Sequence, residues 1–192
     1  MTKHLSWTIM LLVLALVAGT LVRPNLAVGD SAEDINADVK KALEDLYGKS
    51  STAKALGEKA KGILVFPHIV KAGFIIGGQY GEGALLVQGS APGAYKVVGY
   101  YNTIQASWGL QAGAQKYGYA LFFMKDSAME YIDKSGGWEL GTGPTITIVD
   151  IGAAASLSTT TLQSDINAFF FDQAGLMAGI GLQGTKITKV EK

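Results

Sequence analysis

Ile104-Gln105-Ala106-Ser107-Trp108-Gly109-Leu110-Gln111-Ala112-Gly113-Ala114 is the stretch that decides the fold. Ile104, Ala106, Trp108, Leu110, Ala112 and Ala114 fall on one side; Gln105, Ser107, Gly109, Gln111 and Gly113 fall on the other. A period of two belongs to a strand, so this stretch is predicted to be a half-buried strand with room for a bend at a glycine.

Strand signals continue on both sides. Tyr117 to Met124 reads as another strand toward the C-terminus, and a strand over Tyr95 to Tyr101 precedes the run. Gly89-Ser90-Ala91-Pro92-Gly93 reads as a turn back to a strand over Ala84 to Gln88. Ile63 to Phe66, closed by Pro67, and Ile69 to Ile76 are two further apolar runs. Beyond the decisive stretch, Asp126 to Lys134 reads as a short helix. Thr145–Val149, Ser156–Leu162, Ala168–Phe171, Leu176–Leu182 and Thr185–Val190 read as strands. Three consecutive phenylalanines, Phe169 to Phe171, cannot all face one side of a strand, so at least one points outward or into a cavity.

Only the region before residue 62 has helical spacing. Ile35, Val39, Leu43 and Leu46 recur at that period behind the N-cap candidates Asp30 and Ser31, and Gly48 is expected to end the helix. Ser50 or Ser51 caps a second helix running from Thr52 to about Ala60. The predicted fold class is α+β: N-terminal helices followed by a mostly antiparallel, curved or barrel-like β-sheet.

Composition narrows the chemistry. The 192 residues are 48% hydrophobic, as suits one domain, and carry 16 basic and 16 acidic side chains, so no global field draws the chain to nucleic acid. With no cysteine there is no disulfide, thiolate metal site or thiol nucleophile, and no lipoprotein anchor. His68 has no partner histidine beyond the N-terminal segment, so no metal site is expected. No nucleophile–base–oxyanion set assembles from the sequence, so no catalytic residue and no cofactor are assigned. Gly179-Ile180-Gly181-Leu182-Gln183-Gly184 matches the dinucleotide fingerprint in letters. It lacks the helix and the later acidic residue that the fingerprint requires, and reads as a glycine-bearing strand.

Lys3 and His4, the apolar run Trp7 to Val22, and Leu26-Ala27 have the order of a secretory signal. Residues 1–27 are read as that signal, with a retained anchor as the alternative, and 28–192 as a single domain. Loss of Lys3 and Arg23 leaves a net charge of −2. The expected location is periplasmic or extracellular, peripheral to a membrane.

A resemblance enters at Lys61-Gly62-Ile63-Leu64-Val65-Phe66-Pro67-His68-Ile69-Val70-Lys71-Ala72-Gly73-Phe74, which is similar to the opening motif of the SYLF family. The resemblance continues through Gly77-Gly78-Gln79-Tyr80-Gly81-Glu82-Gly83 and Ala106 to Gln115. It then covers Asp165 to Phe169, Gly175 to Gly179 and Gly184 to Ile187, in the family's order. It implies a lipid-binding domain; some fungal members bind actin, a poor expectation for an exported bacterial chain. Eukaryotic relatives bind membranes through a strongly basic N-terminal helix, whereas the first helix here is mixed and acid-rich.

The expected partner is therefore phospholipid or a membrane surface. From local position, Lys59, Lys61 and Lys71 are the candidates for phosphate, and Phe74 and Trp108 for acyl carbon. An envelope structural module with a protein partner and a small outer-membrane β-barrel remain alternatives.

Overall fold

The computed structural model describes residues 29–89, 94–133, 137–151, 163–175 and 182–192. Ser31 starts helix α1 (Ala32–Lys49): its hydroxyl accepts from Asp34 N at 3.1 Å, and Glu33 and Asp34 sit in the first turn where the helix dipole favours acid. Gly48 does not stop α1, which runs one residue further. Ser50 caps helix α2 (Ser51–Gly57), accepting from Ala53 N at 3.2 Å. This second helix ends at Gly57, short of the expected Ala60.

The apolar runs between residues 62 and 123 are not six separate strands but one ribbon. Strand β1 (Gly62–Gln88) pairs antiparallel with β2 (Tyr95–Phe123), from Gly62 opposite Phe123 to Gln88 opposite Tyr95. Pro67 does not close the first run, because it falls in the register shift between Phe66 and Ile69, where a residue without an N–H costs no ladder bond. In the described part of the predicted turn, Gly89 N donates to Ala94 O at 2.7 Å; residues 90–93 lie outside the described residues.

The remaining elements add to β2. The short helix α3 covers only Asp126–Met129. Strands β3 (Trp138–Glu139), β4 (Ile146–Val149), β5 (Ile166–Gly175) and β6 (Lys186–Val190) complete a sheet in the order β3-β6-β2-β5-β4, with β1 on the other edge of β2. β6 pairs with Tyr100 to Ile104 and β5 with Gln115 to Phe123, so the two halves of β2 carry different neighbours. Among the described residues, only β4 with β5 is parallel. The fold is α+β, helices first and then a curled, mostly antiparallel sheet. The strands expected over Ser156–Leu162 and Leu176–Leu182 lie outside the described residues, except for Leu182, which is buried.

Two cores form, one on each face of the ribbon base. Ile63, Val65, Ala84, Leu86, Ala120 and Phe122 face α1 and α2, meeting Ile35, Val39, Leu43, Leu46 and Leu56. Leu64, Phe66, Ile69, Leu85, Tyr119, Leu121 and Phe123 face inward against Trp138, Ile166 and Ile187. The phenylalanine run divides between them: Phe169 and Phe171 join the helix-side core, and Phe170 packs inward on Tyr117 and Tyr119 at 5.9 and 5.8 Å.

Curling needs glycine where the ribbon doubles back. A β-carbon on Gly73 would overlap Gly77 and lie 2.8 Å from Ile76 O, and one on Gly83 would overlap the carbonyl of Val65. Among the described residues no helix is long and apolar enough to cross a membrane.

Candidate membrane-facing surface

Helices α1 and α2 cover the outer face of the ribbon only near its base. Toward the bend at residues 73–77 no described helix covers that face, and its described side chains are mainly apolar. Val70 and Ile76 of β1 are 48% and 56% exposed, and Tyr80 sits opposite Ile104 of β2, both about half exposed. Ala72, Gly78, Ala106 and Ala114 are exposed between them. The decisive stretch is strand, as expected, but at Ile104, Ala106 and Ala114 the side predicted to be buried is the one in water.

The inner face at the same level is polar and buried. Lys71, Gln79, Thr103, Gln115 and Thr185 each expose 5% or less. Tyr117 OH donates to Gln79 Oε1 at 2.5 Å, Gln79 Nε2 reaches Thr185 Oγ1 at 3.4 Å, and Tyr119 OH and Thr103 Oγ1 share a bond of 2.7 Å. Burial pushes the Tyr117 hydroxyl up to about 12, so it stays a neutral donor. Gln115 Oε1 is buried without a partner among the described residues. Buried polar groups and exposed apolar groups are each the informative exception in a water-soluble fold, and here they occupy opposite faces of one ribbon.

Charge borders the apolar face. Lys116 stands opposite Val70, and Lys186 of β6 stands opposite Ile104; both are exposed. Glu139 of β3 is the register partner of Lys186 on its other side. Two other carboxylates near this face, Glu82 and Asp38, have basic partners. Glu82 takes Lys192 Nζ at 3.0 Å, Tyr80 OH at 2.8 Å and Asp30 N at 2.9 Å, while Asp38 faces His68 Nε2 at 3.2 Å. Burial alone would raise the Glu82 carboxyl, but these donors together hold it below the usual range. Among the described residues no group of three or more His, Asp or Glu side chains is placed to hold a metal ion.

The sequence-derived residues separate along the ribbon. Lys59 and Lys61 are exposed at its base, where Lys61 Nζ meets Asp126 at 3.6 Å. Lys71 lies ten residues further along β1, up to about 33 Å away at strand rise, and is buried on the inner face opposite Gln115. The three lysines therefore do not form one patch. Phe74 and Trp108 hold register positions beside the bend, Phe74 opposite Ala112 and Trp108 opposite Ile76. Their side chains lie outside the described set. Lys116 and Lys186 were not singled out from sequence, because each stands alone in its strand and only the pairing brings it to the apolar face.

The described residues thus form a curled α+β domain with an apolar outer tip. Residues 104–192, from the second half of β2 through β6 to the C-terminus, match the Ysc84 family model, described as "Las17-binding protein actin regulator". The matched segment is thus similar to the SYLF family, in line with the resemblance read from the sequence. Helices α1 and α2 and strand β1 lie outside the matched residues. No curated protein matches the chain.

Proposed function

We propose that this chain is an exported, non-enzymatic module that binds phospholipid at a membrane surface. One observation carries the reading: the ribbon tip is apolar and exposed outside, polar and buried inside, with Lys116 and Lys186 at the border of the apolar face. The similarity of residues 104–192 to the SYLF family supports lipid as the partner. The order of charges and apolar residues in 1–27 supports export, with 28–192 as the mature domain in the periplasm or outside the cell, away from any actin.

The magnitudes favour a mixed contact. A lysine near an anionic membrane contributes about 1 kcal/mol. Withdrawing the remaining half of Val70, Ile76 or Ile104 from water contributes about 1 kcal/mol each on the usual area scale. Apolar contact thus outweighs charge, and salt weakens binding without abolishing it.

Co-sedimentation of residues 28–192 with phosphatidylcholine vesicles, and with vesicles also containing phosphatidylglycerol, tests this at low and moderate salt. Binding is expected to favour the anionic vesicles and to fall roughly thirtyfold at low salt in Lys116→Gln/Lys186→Gln. The base pair Lys59→Gln/Lys61→Gln reports the other basic position. A folded sample that binds neither vesicle would sink the lipid reading and favour an envelope protein partner.

A further inference from the structure

We infer that the bend of the β1–β2 ribbon enters the membrane below the headgroups of one leaflet, so that its exposed apolar residues, Ile76 and Ala106 among them, contact acyl chains directly. The inference rests on the lipid-binding reading and adds the element that enters, its orientation and its depth.

The inverted polarity of the tip is the starting observation. In a sheet facing water, the side chains of one face are buried and apolar and those of the other are exposed and polar. From Val70 to Tyr80 and from Ile104 to Ala114 the described side chains do the reverse. Val70, Ala72, Ile76, Tyr80, Ile104 and Ala106 face out, while Lys71, Gln79, Thr103 and Gln115 are enclosed. Apolar-out and polar-in is the pattern of strands surrounded by lipid. The change is confined to the tip. At the base, Ile63 to Phe66 are buried on both faces, as a water-soluble core requires.

Depth follows from two limits. From Tyr80 to Ile76 is four strand steps, about 13 Å, against about 15 Å for the hydrocarbon of one leaflet. A spanning strand needs about 9–11 residues, more than the apolar-out run on either side of the bend supplies. The second limit is the backbone. Among the described residues β1 has a ladder partner on one side only. Unpaired N–H and C=O groups are excluded from the hydrocarbon centre, so the tip stops in its outer part. Lys186, opposite Ile104, and Lys116, opposite Val70, then lie at headgroup level.

The absence of cysteine makes the test direct. Single-cysteine versions of the full chain, Ile76→Cys and Ala106→Cys at the tip and Lys54→Cys on α2, are labelled with an environment-sensitive NBD dye. They are mixed with phosphatidylcholine/phosphatidylglycerol vesicles. Emission at 76 and 106 is expected to rise several-fold and shift to the blue, and that at 54 to stay unchanged. Nitroxide near the top of the acyl chains is expected to quench the tip labels more than nitroxide near the bilayer centre. Silent tip labels, with the Lys116- and Lys186-dependent preference for anionic vesicles intact, would overturn insertion and leave surface binding standing. Silent labels with no such preference would remove both. Stronger quenching at the bilayer centre would overturn the single-leaflet depth. Far-UV circular dichroism of each labelled protein confirms its fold, and Tyr80→Cys replaces any tip variant that fails.

Discussion

Tyr80 and Ile104 stand opposite one another in the β1–β2 ladder, and each keeps close to half its surface in water, 47% and 49%. A cross-strand apolar pair normally marks a buried face, but here the pair borders the uncovered tip. One step along β2, Thr103 is fully buried opposite Ile187, so the two sides of a single ladder position have opposite surroundings. Ile104→Thr keeps a β-branched side chain and should change unfolding stability by no more than about 0.5 kcal/mol. Ile187→Ala should cost about 2–4 kcal/mol, because it opens a cavity in the inner core. In urea titrations the two variants separate clearly, while only Ile104→Thr weakens vesicle binding, by roughly fivefold. A large stability loss in Ile104→Thr would show that the tip is covered in solution.

Glycine at 83 serves close approach. A methyl group there meets the backbone carbonyl of Val65, which cannot move without shifting the helix-side core. Gly83→Ala is expected to lower stability by about 3 kcal/mol or more. Gly48 is the contrasting case: it lies within α1, and a methyl there meets nothing within 4 Å. Gly48→Ala should raise stability by about 0.5–1 kcal/mol. Thermal denaturation of both variants checks the pair, and equal effects would contradict the close packing of the two arms of β1.

The alternation at 104–114 and the cap at Ser31 were legible because they depend on local spacing, and both elements are present. Continuity of the ribbon was not, because Pro67 and the glycines carry the signature of strand ends. Here they serve a bulge and a bend inside one strand. Nor does spacing say which face is buried. That depends on what lies over it, and α1 and α2 reach Ile63 and Leu86 but leave Val70 and Ile76 bare. Lys71 looked like a surface cation for the same reason. Its neighbour on the inner face is Gln115, 44 positions away, and only the register brings them together. The predicted separation of Phe169, Phe170 and Phe171 needed no register, because alternation alone forces it.

Lys192 and Glu82 join the C-terminal residue to the middle of β1, with side chains 13% and 9% exposed. Lys192 Nζ also donates to Asp30 O at 2.9 Å, so the same cation holds the start of the described chain. Lys192→Ala leaves an enclosed carboxylate with only Tyr80 and Asp30 N as donors. The expected cost at pH 7 is about 1–3 kcal/mol. The folded Glu82 carboxyl lies below its ordinary range, so its contribution is present at neutral pH and is lost as pH falls through that lowered value. The gap between wild type and Lys192→Ala should therefore narrow in acid. Urea titrations at pH 7 and pH 3 measure it, and a gap that widened in acid would contradict the assigned pair.

Asp165 gathers three chain segments at one end of the sheet. Its carboxylate accepts from Lys125 Nζ at 2.6 Å, and from Thr145 N and Oγ1 at 2.9 and 2.8 Å. Lys125 follows β2, Thr145 precedes β4, and Asp165 itself precedes β5. The hydrogen bond from Lys125, then those from Thr145, lower the carboxyl to about 2, against an ordinary 3.8. A depressed carboxyl stabilises the fold fully above its unfolded value, and that stability disappears as pH falls from about 4 through 2. Asp165→Asn should cost about 1–2 kcal/mol at pH 7, a figure reduced for the solvent reaching Lys125. Its stability should then fall less than that of the wild type between pH 5 and pH 2, bringing the two curves together in acid. Parallel curves over that range would show that the Asp165 carboxyl titrates alike in the folded and unfolded chain.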